Sequence, residues 1–145
     1  MIVVATQDEY RNFKQPYNEV FVTGVGYGNV IRSLADIPRD TPILNIGYAG
    51  SNSIPKGTVC FIKECRHYHP NVEYEEPTYK LGGGYVDDEY ICYTSDDFVL
   101  RTDIEEPVLF DMELYAILSM GFTDVTAVKI VSDNLSLEEY EDQIQ

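Results

Sequence analysis

The chain has 145 residues, 44% of them hydrophobic, and sets 10 Lys+Arg against 25 Asp+Glu for a net charge of −15. That length and composition suit a single domain over 1–145 with a core needing no disulfides, and they exclude wholesale disorder. The charge argues against binding DNA, RNA or an anionic membrane, because phosphate contacts require cationic patches.

Apolar, β-branched runs recur with helical stretches between them. Residues 2–5 read as a short buried strand. Residues 20–23 form a second, ending in the cluster Gly24-Val25-Gly26-Tyr27-Gly28. Residues 29–36 suit a helix with Val30, Ile31 and Leu34 on one side. After Pro38 and Pro42 comes a strand over 43–46 that runs into Gly47-Tyr48-Ala49-Gly50. Residues 58–68 look extended, 71–89 read as an irregular loop or hairpin, and 91–93 and 108–110 are further strands. A helix over 113–120 stops at Gly121. Residues 125–131 make the clearest late strand, followed by Ser132-Asp133-Asn134 and a short acidic helix from about Ser136. Strand, loop and helix in alternation predict an α/β fold, a mainly parallel twisted sheet flanked by helices.

Such sheets hold their ligands at the carboxyl ends of strands. That rule selects Gln7–Glu9, Gly24–Gly28, Gly47–Gly50, Asp111–Glu113 and Ser132–Asp133 before any chemistry is considered. Acids at strand ends cap helices favourably, but three of them on different strands can also converge on one acid–base crevice. Gly24-x-Gly26-x-Gly28 is not a dinucleotide fingerprint, since position 29 is Asn, and no Walker lysine follows. Cys60, Cys65, His67 and His69 match no recognised zinc spacing, so neither a metal nor another cofactor is expected. No nucleophile elbow accompanies the two histidines. The N-terminus has no basic or long apolar stretch, and three cysteines form no even framework. The expectation is a cytoplasmic protein with reduced thiols.

The same positions carry a resemblance to the nucleoside phosphorylase/nucleosidase superfamily, closest to its 5′-methylthioadenosine/S-adenosylhomocysteine nucleosidases. Ala5-Thr6-Gln7-Asp8-Glu9 resembles their Ala-Met-Glu-Glu-Glu run, and Thr23-Gly24-Val25-Gly26 their Ser-Gly-Ile-Gly turn. Asn45-Ile46-Gly47-Tyr48-Ala49-Gly50 is similar to Asn-Thr-Gly-Ser-Ala-Gly, and Ser95-Asp96-Asp97-Phe98-Val99 to Ser-Gly-Asp-Ala-Phe-Ile. Asp111-Met112-Glu113 resembles Glu-Met-Glu, and Lys129-Ile130-Val131-Ser132-Asp133 resembles Arg-Ala-Ile-Ser-Asp. The matches run in the same order from residue 5 to residue 133. Tyr48 stands in place of a small residue, Ser51 in place of a glycine, and Lys129 in place of an arginine.

The resemblance implies N-glycosidic hydrolysis of an adenine nucleoside. Glu9 would activate water and Asp133 would protonate the base, its carboxyl kept neutral by burial. An ionised Glu113 would hold the ribose hydroxyls and favour the sugar cation. Phe98 would stack on the base, the backbone at Val99 would read its edge, and Met112 would lie against the ribose. Gly26, Ala49, Gly50 and Ser132 complete the implied substrate site. The resemblance also implies a homodimer with residues around Arg66–His69 near the neighbour's site. A purine nucleoside phosphorylase, and a non-catalytic or weakly active nucleoside- or nucleotide-binding member, remain as alternatives.

Overall fold

The computed structural model describes residues 1–13, 19–68, 76–81 and 89–144. Its elements are β1 (Ile2–Val4), α1 (Gln7–Phe13), β2 (Val20–Val22), α2 (Tyr27–Leu34), β3 (Ile43–Ser51) and β4 (Val59–His67). They continue with β5 (Tyr79–Lys80), β6 (Glu89–Thr94), β7 (Leu109–Asp111), α3 (Leu114–Ser119), β8 (Val125–Asp133) and α4 (Leu137–Ile144). Most of the expected loop at 71–89 lies outside the described residues, but β5 falls within it.

All the described strands share one sheet, and that sheet closes on itself. β8 pairs with both β3 and β4, while β3, β7, β6 and β4 are joined in series, so five strands form a barrel-like ring. β1 and then β2 extend it beyond β3, and β5 extends it beyond β4. The expected mainly parallel sheet is closed into this ring and is mixed: among the described strands five pairings are parallel and three antiparallel. β1, β2, β3 and β8 run one way, and β4, β6 and β7 run the other, meeting antiparallel at β3–β7 and β4–β8. β-branched residues and alternation identify strands, but how each connection routes the chain back to the sheet decides their relative direction. The flanking helices are present and short, none longer than eight residues. Among the described residues no helix is long and apolar enough to cross a membrane.

The core fills the space between the sheet and its helices. Val30 and Leu34 of α2 are fully buried, whereas Ile31, expected on the same side, points outward at 46% exposure. Successive helix residues lie about 100° apart, which places position 31 off the i, i+4 stripe. α3 is buried from Leu114 to Leu118 and packs against α2, β4 and β6, in one core cluster with Val30, Leu34, Ile62, Cys65 and Cys92. Each such aliphatic side chain contributes about 1.5–3 kcal/mol on burial, so α3 is anchored from all sides. That matters because α3 starts directly after Glu113.

α1 was not expected, because Gln7-Asp8-Glu9-Tyr10-Arg11-Asn12-Phe13 carries no apolar period. Its start is a capping box. The Glu9 N–H donates to Thr6 Oγ1 at 3.1 Å, and the Thr6 N–H returns to Glu9 Oε1 at 3.2 Å. The signal Thr-x-x-Glu was present in the sequence.

Candidate active site

A cavity of about 220 Å³ opens where β1, β3, β7 and β8 end. Glu9, Ala49, Gly50, Phe98, Met112, Glu113, Ser132 and Asp133 all line it. Val99 lines a smaller hollow of about 30 Å³ that shares Gly50, Phe98, Met112 and Asp133 with the first. Gly26 reaches the site through its backbone, whose N–H donates to Glu113 Oε2 at 3.1 Å. The residues singled out from the sequence thus come together on one face. Tyr48, Val25, Phe110 and Asp111 join them.

Glu9 is buried at the start of α1, where three backbone amides converge on its carboxylate. Ala5 and Thr6 donate to Oε1, and Tyr48 donates to Oε2 at 2.8 Å. The β3 backbone approaches so closely that a Cβ on Gly47 would stand 2.7 Å from Glu9 Oε2. Only glycine leaves that oxygen room. The Tyr48 ring leans on Phe13 at 5.3 Å, and its hydroxyl accepts from Asn12 Nδ2 at 2.9 Å, so β3 grips both ends of α1.

Asp133 closes β8. It accepts from Ser132 Oγ at 2.7 Å, and from the Leu135 and Ser136 amides at 2.9 and 3.3 Å. Leu135 adopts a left-handed backbone, φ 63, to deliver its amide. That conformation costs a branched residue about 1–2 kcal/mol, which marks the turn as strained. Burial pushes the Asp133 carboxyl above its ordinary range, against the opposing pull of those three donors. A Cβ on Gly50 would meet Asp133 Oδ2 at 2.8 Å, so the glycine at this strand position makes room for the acid. Ser51, where a glycine was anticipated, is fully buried instead. It donates to the Val108 carbonyl at 2.7 Å and accepts the Ile54 amide at 3.0 Å.

Between these acids lies a charge pair: the strand-end rule reached Asp111, but nothing in the sequence joined it to Lys129. Lys129, inward-facing on β8 and 1% exposed, places Nζ 3.1 Å from Asp111 Oδ2. Asp111 also accepts from Thr94 Oγ1 at 2.5 Å and from the Leu114 amide at 2.8 Å. Burial opposes its ionisation, but the Lys129 ammonium and these donors bring its carboxyl below the ordinary range. Glu113 goes the other way. Burial first, then the Asp111 charge, push it up to about 8 despite the Lys129 ammonium and the Gly26 amide. Where an ionised Glu113 was expected, burial and the Asp111 charge favour the protonated carboxyl.

Cys60, Cys65 and Cys92 are free and buried, and burial pushes the Cys60 thiol up to about 11. His67 contacts Glu76 through Nδ1 at 2.6 Å and Asp96 through Nε2 at 3.4 Å. His69 lies outside the described residues. Among the described residues no group of three or more His, Cys, Asp or Glu is arranged to hold a metal.

No protein-family model matches this sequence, and no curated protein matches it. Solved structures do. The 5′-methylthioadenosine/S-adenosylhomocysteine nucleosidase of Neisseria meningitidis, in complex with methylthio-immucillin-A, superposes with a TM-score of 0.78 at 16% identity. That match covers 99% of this chain and 90% of the other. A variant of the Chlamydia trachomatis nucleosidase (MTAN) bound to MTA gives 0.77 at 16% identity, over 99% and 87% of the two chains. A Helicobacter pylori variant with 5′-methylthioadenosine in its active site gives 0.74 at 11%, over 97% and 89%. Over nearly its whole length, the chain has the fold of these nucleosidases.

Proposed function

We propose that this protein hydrolyses the N-glycosidic bond of an adenine nucleoside such as 5′-methylthioadenosine or S-adenosylhomocysteine. The observation that supports it is the convergence of Glu9, Glu113, Asp133 and Phe98 on one cavity of about 220 Å³. Cleavage builds positive charge on the sugar and negative charge on the departing base. Asp133, whose neutral form is favoured by burial, gives its proton to the purine as the bond breaks. Glu9 orients the attacking water and takes its proton, while the hydroxyl adds to the sugar. Glu113 contacts the ribose hydroxyls, and its ionised form steadies the sugar cation. Phe98 stacks on the base, with Val99 beside its edge, and Met112 lies under the ribose. Gly26, Ala49, Gly50 and Ser132 shape the walls.

Water is preferred over phosphate as nucleophile because no arginine or lysine lines the cavity among the described residues. Among those residues a phosphate dianion would meet four carboxyl groups, those of Glu9, Asp111, Glu113 and Asp133, and no lining cation to hold it. A binding role without turnover is the second reading. It is favoured by the three amides already on Glu9 and the three donors already on Asp133, which also suit plain capping. We further propose a cytoplasmic homodimer with Arg66 and His67 near the partner's site. Light scattering that finds a monomer at micromolar concentration would remove the dimer.

The deciding experiment is chromatography of free adenine released from a nucleoside panel, with and without phosphate. Phosphate-independent release is expected. Binding without release would favour the second reading, and phosphate-dependent release would make the protein a phosphorylase.

A further inference from the structure

Asp111 and Glu113 stand two residues apart at the turn from β7 into α3, and both are buried. The partners they meet are unequal. Asp111 has the Lys129 ammonium at 3.1 Å, the Thr94 hydroxyl at 2.5 Å and the Leu114 amide at 2.8 Å, with the Glu113 amide at 3.4 Å. Among the described residues, the hydrogen bond to the Glu113 carboxyl comes from the Gly26 amide. The charged groups acting on it are Glu9 from α1, Asp111 from β7 and Lys129 from β8. Asp111 in turn influences the thiols of Cys65 on β4 and Cys92 on β6, and the phenol of Tyr27 on α2.

We propose that Asp111 is a positioning residue: clamped as the anion by Lys129, Thr94 and the first amide of α3, it makes Glu113 the proton-carrying member of the pair. The proposal rests on the function given above, in which Glu113 faces the sugar. Two interacting carboxylates this buried do not both ionise beside one cation, and the member with the cation and the larger number of donors takes the charge. The directions of the two groups agree, Asp111 below the ordinary range and Glu113 above it. Glu113 is then a group whose charge is called up by pH and not a fixed anion. Turnover rises with pH as Glu113 ionises, and Asp111 sets where that rise lies.

The test is carboxyl carbon NMR of the full chain labelled at Asp and Glu, with Asp111→Asn and Glu113→Gln assigning the signals. In the wild type Asp111 is expected to stay ionised to below the usual carboxylate range while Glu113 titrates above neutrality. In Asp111→Asn the Glu113 midpoint is expected to fall by about one pH unit or more, and the rising limb of adenine release moves with it. Lys129→Arg, which keeps the cation, should preserve the wild-type order. A Glu113 midpoint unmoved in Asp111→Asn overturns the proposal. If that variant does not fold, the wild-type order alone decides, and Glu113 ionising before Asp111 overturns it. The correct order without adenine release would support this proposal and contradict the nucleosidase reading; release with the reversed order would do the opposite.

Discussion

Strand β8 changes character along its length. Its first inward-facing residues, Val125 and Ala127, pack into the apolar core with Ile43 of the neighbouring β3. From Lys129 onward the buried positions include Lys129, Ser132 and Asp133, none more than 1% exposed. β3 follows the same course, from Ile43 to Gly47 and Gly50, which stand against Glu9 and Asp133. At one end burial asks only for volume. At the other, Lys129 is partnered by Asp111 and Asp133 by Ser132 and the Leu135 and Ser136 amides, while Gly47 and Gly50 leave room for the Glu9 and Asp133 carboxyls. The two ends should therefore respond to substitution in different ways.

The largest stability effect is expected at the polar end. Lys129→Met leaves the Asp111 carboxylate buried without its cation, at a cost of about 3–5 kcal/mol. Urea unfolding at pH 7 measures it, and a loss below 1 kcal/mol would mean that the pair contributes little. At the apolar end, Ile117→Ala removes a fully buried α3 side chain and should cost about 2–4 kcal/mol. Its kcat for adenine release should stay near wild type at a temperature where both are folded. A kcat that fell in step with stability would erase the distinction between the two ends.

Glu113→Gln gives a smaller effect with a sign that depends on pH. A folded-state midpoint raised to about 8 gives stability present below the ordinary Glu range and lost as pH rises through about 8. The wild type should therefore lose stability between about pH 5 and pH 8 on account of this group. Glu113→Gln keeps an oxygen for the Gly26 amide and loses the proton, so it should exceed the wild type at pH 8 by about 1–3 kcal/mol. A difference between the two proteins that does not change with pH would contradict the assignment.

Much of this organisation was legible in the residues. Apolar runs marked the strands, and the carboxyl-end rule pointed to Glu9, Glu113 and Asp133 from their positions alone. The ring was not, because strand direction follows from crossovers and β8 must be seen pairing with both β3 and β4. β3 was read as stopping near Ile46 because Gly47 and Gly50 look like turn residues. They sit inside the strand, where a Cβ would collide with Glu9 or Asp133. The Lys129–Asp111 pair joins residues eighteen apart in sequence, on strands that follow one another in the chain but do not pair in the sheet, and no local pattern announces it. The raised titration of Glu113 follows from burial and from the Asp111 charge, so it was hidden for the same reason.

The central claim is that the acid closing β8 is a proton donor and not a cap. Asp133→Asn tests it most directly, with adenine release and nucleoside binding by calorimetry measured on the same preparation. The amide is nearly isosteric and caps equally well. Binding should be retained while turnover falls by about 10²–10⁴-fold. Turnover equal to wild type in a folded, ligand-binding Asp133→Asn would take Asp133 out of the mechanism and leave the turn from β8 to α4 as architecture alone.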